Sequence, residues 1–192
     1  MSAAALVTLL ALPFAAEPAQ CHGRPAWDEP VVARTEITGR ALELPPELDA
    51  RIQAARRKAW TAARDGAADV DALYEAVWQL LPEPRAEWDS SYVIADDAVE
   101  HHFDAGRYDD ALRWLARANA ALANTTNPAI LAWLGKIRYR QGRFDEAYAC
   151  FDAAHREWGT RPFGDRPDEA EYLEFYRGRH RPVGASTDAF AP

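Results

Sequence analysis

The chain has 192 residues, with 30 Asp and Glu against 22 Lys and Arg, and carries a formal net charge of −8. That is one domain at roughly 100–200 residues per domain, and 48% hydrophobic with 11% aromatic residues excludes a disordered or collagen-like chain. The acidic excess argues against nucleic acid as a partner, because phosphate affinity rests on Lys and Arg that displace counterions.

Residues Ala3 to Ala16 form an apolar run with the length of a signal-peptide core, too short to span a bilayer. No Lys or Arg precedes it and no convincing small-residue cleavage site follows Phe14, so the expected location is the cytoplasm, with secretion through a weak signal-like segment as the alternative. Glu17 to Pro46 carries Pro18, Pro25, Pro30, Pro45 and Pro46 without a sustained period. Residues 1–46 therefore read as an apolar, then proline-rich, tail.

Helical spacing begins at Leu48. At an offset of 36, Gly142 aligns with Gly106, Phe144 with Tyr108, Ala147 with Ala111, Phe151 with Leu115 and Ala154 with Ala118. Each segment reads as helix, glycine turn, helix, and Asn127-Pro128 opens the later one. The alanines let two helix backbones approach, while the large residues fill the groove between neighbouring pairs. An earlier, degenerate copy runs from Leu48 to Pro84 through Ala59-Trp60, Gly66, Tyr74 and Trp78, with about one additional residue in its turn. The units are expected at about 48–84, 91–127 and 128–161.

Leu134-Gly135, Gly142, Ala147, Phe151 and Ala154 resemble the tetratricopeptide repeat, a helix-turn-helix unit of 34 residues. Leu131 stands where that repeat usually has its first large aromatic, its tyrosine is displaced to Tyr139, and the second unit has Ala98-Val99 in place of Leu-Gly. The resemblance implies an all-α fold, an α-solenoid of about three repeats, since about three units must stack for stability. Ala170, Tyr172, Leu173, Phe175 and Tyr176 suit a capping helix at 167–177, giving a domain over 47–178 and a flexible tail at 179–192. Leu81-Pro82-Glu83-Pro84-Arg85, Trp88 and the Tyr172–Tyr176 stretch also resemble small bacterial tetratricopeptide proteins of poorly defined function. Some of those lie beside toxin and immunity genes, which implies, as an alternative function, an immunity protein that neutralises a toxin domain.

In such a solenoid the first helix of each unit lines the concave wall. The alignment puts Arg56, Trp60 and Arg64 there from the first unit, Asp96, Glu100 and Phe103 from the second, and Lys136, Tyr139 and Arg140 from the third. Arginines that grip carboxylates and rigid aromatic area suit a peptide or protein segment. The expected function is thus a non-enzymatic interaction module, an adaptor or scaffold, with no cofactor and with self-association through the outer repeat edges as a further possibility.

Enzymatic readings are thin. Asp96, Glu100, His101 and His102 offer local ligand density for a metal-dependent hydrolase, but adjacent histidines point about 100° apart on a helix, far from the His-Glu-x-x-His arrangement, and no metal is expected. Cys21 and Cys150 are far apart and form neither a disulfide framework nor a thiolate zinc site, and Cys150 reads as a small buried hydrophobe. His155 is expected on the outer face of its helix, Ser90-Ser91 as a helix N-cap, and Asn124-Thr125-Thr126 as turn chemistry rather than a glycosylation acceptor.

Overall fold

Three glycines in the left-handed region set the path of the chain: Gly66 at φ 69°, Gly106 at φ 70° and Gly142 at φ 74°. In the computed structural model, which describes residues 42–122, 127–163 and 169–179, each closes a helix with the same pair of bonds. Gly106 N–H donates to Phe103 C=O at 2.9 Å and Arg107 N–H to His102 C=O at 2.9 Å. Gly142 with Tyr139 and Arg143 with Arg138, like Gly66 with Ala63 and Ala67 with Ala62, repeat that pattern. This is the Schellman closure, which satisfies the last carbonyls of a helix and reverses the chain, and glycine adopts the required φ without a Cβ penalty.

The turns join three antiparallel pairs: α1 (Pro46–Arg64) with α2 (Val70–Gln79), α3 (Asp89–Asp104) with α4 (Tyr108–Leu122), and α5 (Pro128–Arg140) with α6 (Phe144–Trp158). A last helix, α7 (Ala170–Arg179), packs on α6. The described residues are therefore an all-α helical repeat, as expected. Asn127 caps α5 by accepting from Ala129 N–H at 2.9 Å, with Pro128 in the first turn. In the first unit α2 starts four residues after Gly66, against two after Gly106 and Gly142, so its turn is longer than the others.

Small residues carry the close approach within each pair. Ala98, Ala111, Ala118, Ala147 and Ala154 are all 0% exposed. A Cβ on Gly135 would lie 2.7 Å from the Phe151 ring, so the glycine is there to admit the phenyl group. In the second unit the aligned residues are Val99 and Leu115, both fully buried: a larger residue on one helix faces a smaller one on the other, which conserves volume. Each fully buried Leu, Ile or Phe contributes roughly 1.5–3 kcal/mol by leaving water. Between units, Arg117 on α4 pairs with Glu75 on α2 at 2.6 Å and lies 4.2 Å from the Trp114 ring.

Several local expectations are corrected by packing. Residues up to 46 read as tail, yet Leu42 bonds with the 3-10 turn at Arg85–Glu87: its N–H donates to Glu87 C=O at 2.9 Å and its C=O accepts from Asp89 N–H at 3.1 Å. Leu44 is buried behind it. Ser90 and Ser91 do not cap α3; both lie inside its first turn, where Ser91 Oγ donates to Arg85 C=O and Ser90 accepts from Gln53 Nε2 at 3.3 Å. His155 is not on an open face, because its ring sits 4.9 Å from Tyr176 of α7 and 6.2 Å from Phe163. Cys150 is buried in α6. The readings for residues 1–41, Asn124-Thr125-Thr126 and the tail beyond Arg179 lie outside the described residues. Among the described residues no helix is long and apolar enough to cross a membrane.

Gly135→Ala is expected to destabilise the third unit by about 1–3 kcal/mol, the typical cost of overpacking a filled core. Adding Phe151→Leu, which reproduces the volume pairing of the second unit, is expected to recover part of that loss; urea unfolding of the parent, single and double variants measures both effects.

Candidate binding surface on the first helices

Among the described residues of the face built by α1, α3 and α5, one cleft lies on each side of the carboxyl-terminal half of α3. The cleft between α1 and α3 holds about 400 Å³ and is lined by Trp60, Arg64, Tyr74, Asp97, Glu100 and Asp104, among others. The second, of about 260 Å³, lies between α3, α5 and α7, and includes Glu100, Phe103, Asp104, Trp133, Arg140 and Tyr172. Glu100 and Asp104 belong to both. They sit one helical turn apart on α3 and form the ridge between the clefts.

The structure puts the expected wall residues to different uses. Arg56 grips Asp97 with two bonds, Nε to Oδ2 at 2.5 Å and Nη2 to Oδ1 at 3.0 Å, and this pairing raises the Arg56 pKa. That contact ties α1 to α3 and is a structural clamp. Trp60 stays 43% exposed, with the Arg64 guanidinium stacked 4.6 Å from its ring. Asp96 is turned away from the clefts named above: its Oδ1 accepts from Trp133 Nε1 at 2.8 Å and Tyr92 Oη at 3.4 Å, and burial raises its pKa. Phe103 packs against Trp133 and Tyr108 and lines the second cleft.

The third-unit residues face α7. Lys136, 7% exposed, pairs with Glu169 at 2.6 Å. Arg140 pairs with Glu171 and lies 5.4 Å from the Tyr172 ring. Tyr139 is enclosed by Phe144, Tyr172 and Phe175, with ring centroids 5.5, 5.3 and 5.0 Å away. Lys136 and Tyr139 thus hold the last helix and the residue before it in place, and the second cleft receives Tyr172 from α7 and Glu169 from just before it. Sequence spacing missed Tyr74 and Trp133 as lining residues; Trp133 was visible as an aromatic three residues before Lys136, whereas nothing local marks Tyr74 on α2.

Residues 102–157 match the family described as Tetratricopeptide repeat. Comparison with curated proteins and with solved structures returns no match. The matched span runs from the end of α3 through α6, the stretch in which the two regular glycine turns fall.

A polar cluster that reaches the first cleft through His101 joins the first two units. Asp71 of α2, His101 and His102 of α3 bring one ligand atom each within 4.8 Å of one another. The cation among them is the guanidinium of Arg107: Nη2 is 2.8 Å from Asp71 Oδ1 and 2.9 Å from His101 Nε2, and Nε donates to His102 Nδ1 at 3.1 Å. The hydrolase set of Asp96, Glu100, His101 and His102 does not converge, since Asp96 bonds to Trp133 of α5, His101 to Asp71 of α2 and His102 to Arg107. Neither Asp71 nor Arg107 has a sequence spacing that announces the cluster.

A guanidinium only donates, so His102 accepts at Nδ1 and is held neutral. Burial lowers its pKa from 6.5, and Arg107 and His101 act in the same direction against Asp71 and Asp110. The unfolded chain then binds more protons than the folded one just below pH 6.5, so stability is full above that value and falls as pH drops towards the folded pKa. In His102→Asn, whose side-chain oxygen replaces the Nδ1 acceptor, this part of the pH dependence is expected to disappear. Urea melts from pH 7.5 to 5.0 measure it; an unchanged slope assigns the acid sensitivity to other groups.

Proposed function

Because residues 102–157 carry tetratricopeptide repeat sequence, and such repeats mediate protein–protein interaction, we propose that this chain is a non-enzymatic adaptor or scaffold that holds a segment of a partner protein against the face of α1, α3 and α5. The observation that supports this reading most is the pair of clefts meeting at one ridge, so that a single extended segment crossing α3 touches both. Their walls combine exposed or cleft-facing aromatic area, from Trp60, Phe103 and Trp133, with charged groups at fixed positions. Rigid aromatics contribute area at small entropic cost and dominate protein interfaces.

Trp60 and Arg64 are the residues with which to test the surface, because both are exposed and neither holds the fold together. Trp60→Ser with Arg64→Ser is expected to abolish capture of a protein partner from the source cell's lysate while leaving the melting transition where it was. Equal capture by the parent and the double variant would place the interaction elsewhere on the molecule.

A further inference from the structure

Charge is unevenly placed on this chain. Its formal net charge is −8, and the lysine and arginine side chains of α4, α5 and α6 each meet a carboxylate. On α1 only Arg56 is used in this way, by Asp97. Arg51, Arg57 and Lys58 are exposed and have no carboxylate or hydrogen-bond partner among the described residues. Arg64 beside them lies over the Trp60 ring.

These unpaired cations share the outer face of α1. The helix packs against α2 and α3, and its buried residues Ile52 and Ala59 mark the side turned inward. At about 100° per residue, Ala50, Ala54 and Thr61 fall on the opposite side, and all three are exposed. Arg51 and Lys58 follow one edge of that face, separated by two helical turns or about 10 Å. Arg57 stands on the other edge. At the far end of the stack α7 covers the third unit, whereas among the described residues no helix covers α1. A polar outer face keeps the end of a repeat array soluble, but in an acidic chain carboxylates would serve, without gathering unpaired cations of one sign on a single helix at the cost of their mutual repulsion.

We propose that the outer face of α1 is a second protein-binding surface, separate from the clefts, and that it takes an acidic helical segment of a partner protein. Carboxylates of that segment pair with Arg51 and Lys58 along one edge and with Arg57 on the other, while its backbone approaches over Ala50, Ala54 and Thr61. Small residues at the contact permit close helix spacing, as the alanines do inside each pair, and charges flanking such a contact set partner and register. A second copy meeting this face with its own would set two groups of unpaired cations against each other, which like-charge repulsion forbids. The acidic remainder of the chain repels an acidic segment, and this confines it to α1.

The test uses the full ¹⁵N-labelled chain and a helical peptide of three repeats of Ala-Glu-Ala-Leu-Ala-Ala-Glu, acetylated and amidated, in which two rows of glutamates flank an Ala and Leu stripe. The same peptide with glutamine or with lysine in place of glutamate, a short DNA duplex and phosphatidylglycerol vesicles are the comparison probes. The glutamate peptide is expected to move the backbone signals of Ala50, Ala54, Lys58 and Thr61 and to bind roughly tenfold more tightly than the glutamine peptide, with the lysine peptide inert. Arg51→Gln with Arg57→Gln and Lys58→Gln, checked for an unchanged melting transition, is expected to remove that preference, whereas Trp60→Ser with Arg64→Ser retains it.

Equal binding of the glutamate and glutamine peptides, no shift with any peptide at millimolar concentration, shifts centred on the clefts instead of α1, or a preference that survives in the triple variant would each overturn the proposal. The comparison of peptides needs no mutation, so it stands even if a variant fails to fold. Tighter binding of the duplex or the vesicles than of the glutamate peptide also rejects it, identifying a patch that takes anions of any shape.

Discussion

The constraint on which the molecule depends is the close approach of the two helices in each regular pair. Backbones come together only where side chains are small, and here they are Ala98, Ala111, Ala118, Ala147 and Ala154, all without exposure. At Gly135 even a methyl group is too much, because the Phe151 ring occupies the place. Dense packing of this kind leaves little room for adjustment. The three glycine turns follow from it, since antiparallel helices in contact need an abrupt reversal, and a left-handed residue provides one in a single step.

Stacking then decides what each exposed helix face is used for. Between the first and second units, Arg56 with Asp97 on one side and Glu75 with Arg117 on the other act as clamps. Between the third unit and α7, Lys136 with Glu169 and the Tyr139, Tyr172 and Phe175 rings close the apolar end of the stack. A helix at the end of a repeat array exposes a face that an internal helix would bury, and a capping element covers it. The consequence for the binding surface is that the open part of the face lies over α1 and α3, with α5 contributing chiefly Trp133 and Arg140 at the border of α7.

The same packing gives Arg107 its role. Placed one residue after a turn glycine, it is carried by the reversal of the chain to the junction of α2, α3 and α4, where it meets Asp71 and both histidines. A resident guanidinium there makes the His101-His102 pair part of a joint between units. It also fixes His102 as an acceptor, which links the integrity of that joint to pH.

The sequence alone determined the elements: the 36-residue offset, the small residues at Ala111 and Ala147, the cap at Asn127-Pro128 and the glycines at 66, 106 and 142 are local signals, and each matches what the backbone does. Helical periodicity is a property of neighbouring residues, so it is readable along the chain. It also located the first-helix residues, because position in a repeat fixes which side of a helix a residue faces. Only the tertiary structure decided which of those residues remain open. Arg56, Lys136 and Tyr139 have the same spacing as Trp60 and Arg64, and nothing near them in sequence says that their partners are Asp97, Glu169 and Tyr172. Those partners lie some 33 to 41 residues away. A contact across such a separation exists only once the helices have stacked, which is also why Leu42, written as tail, pairs with Glu87 and Asp89.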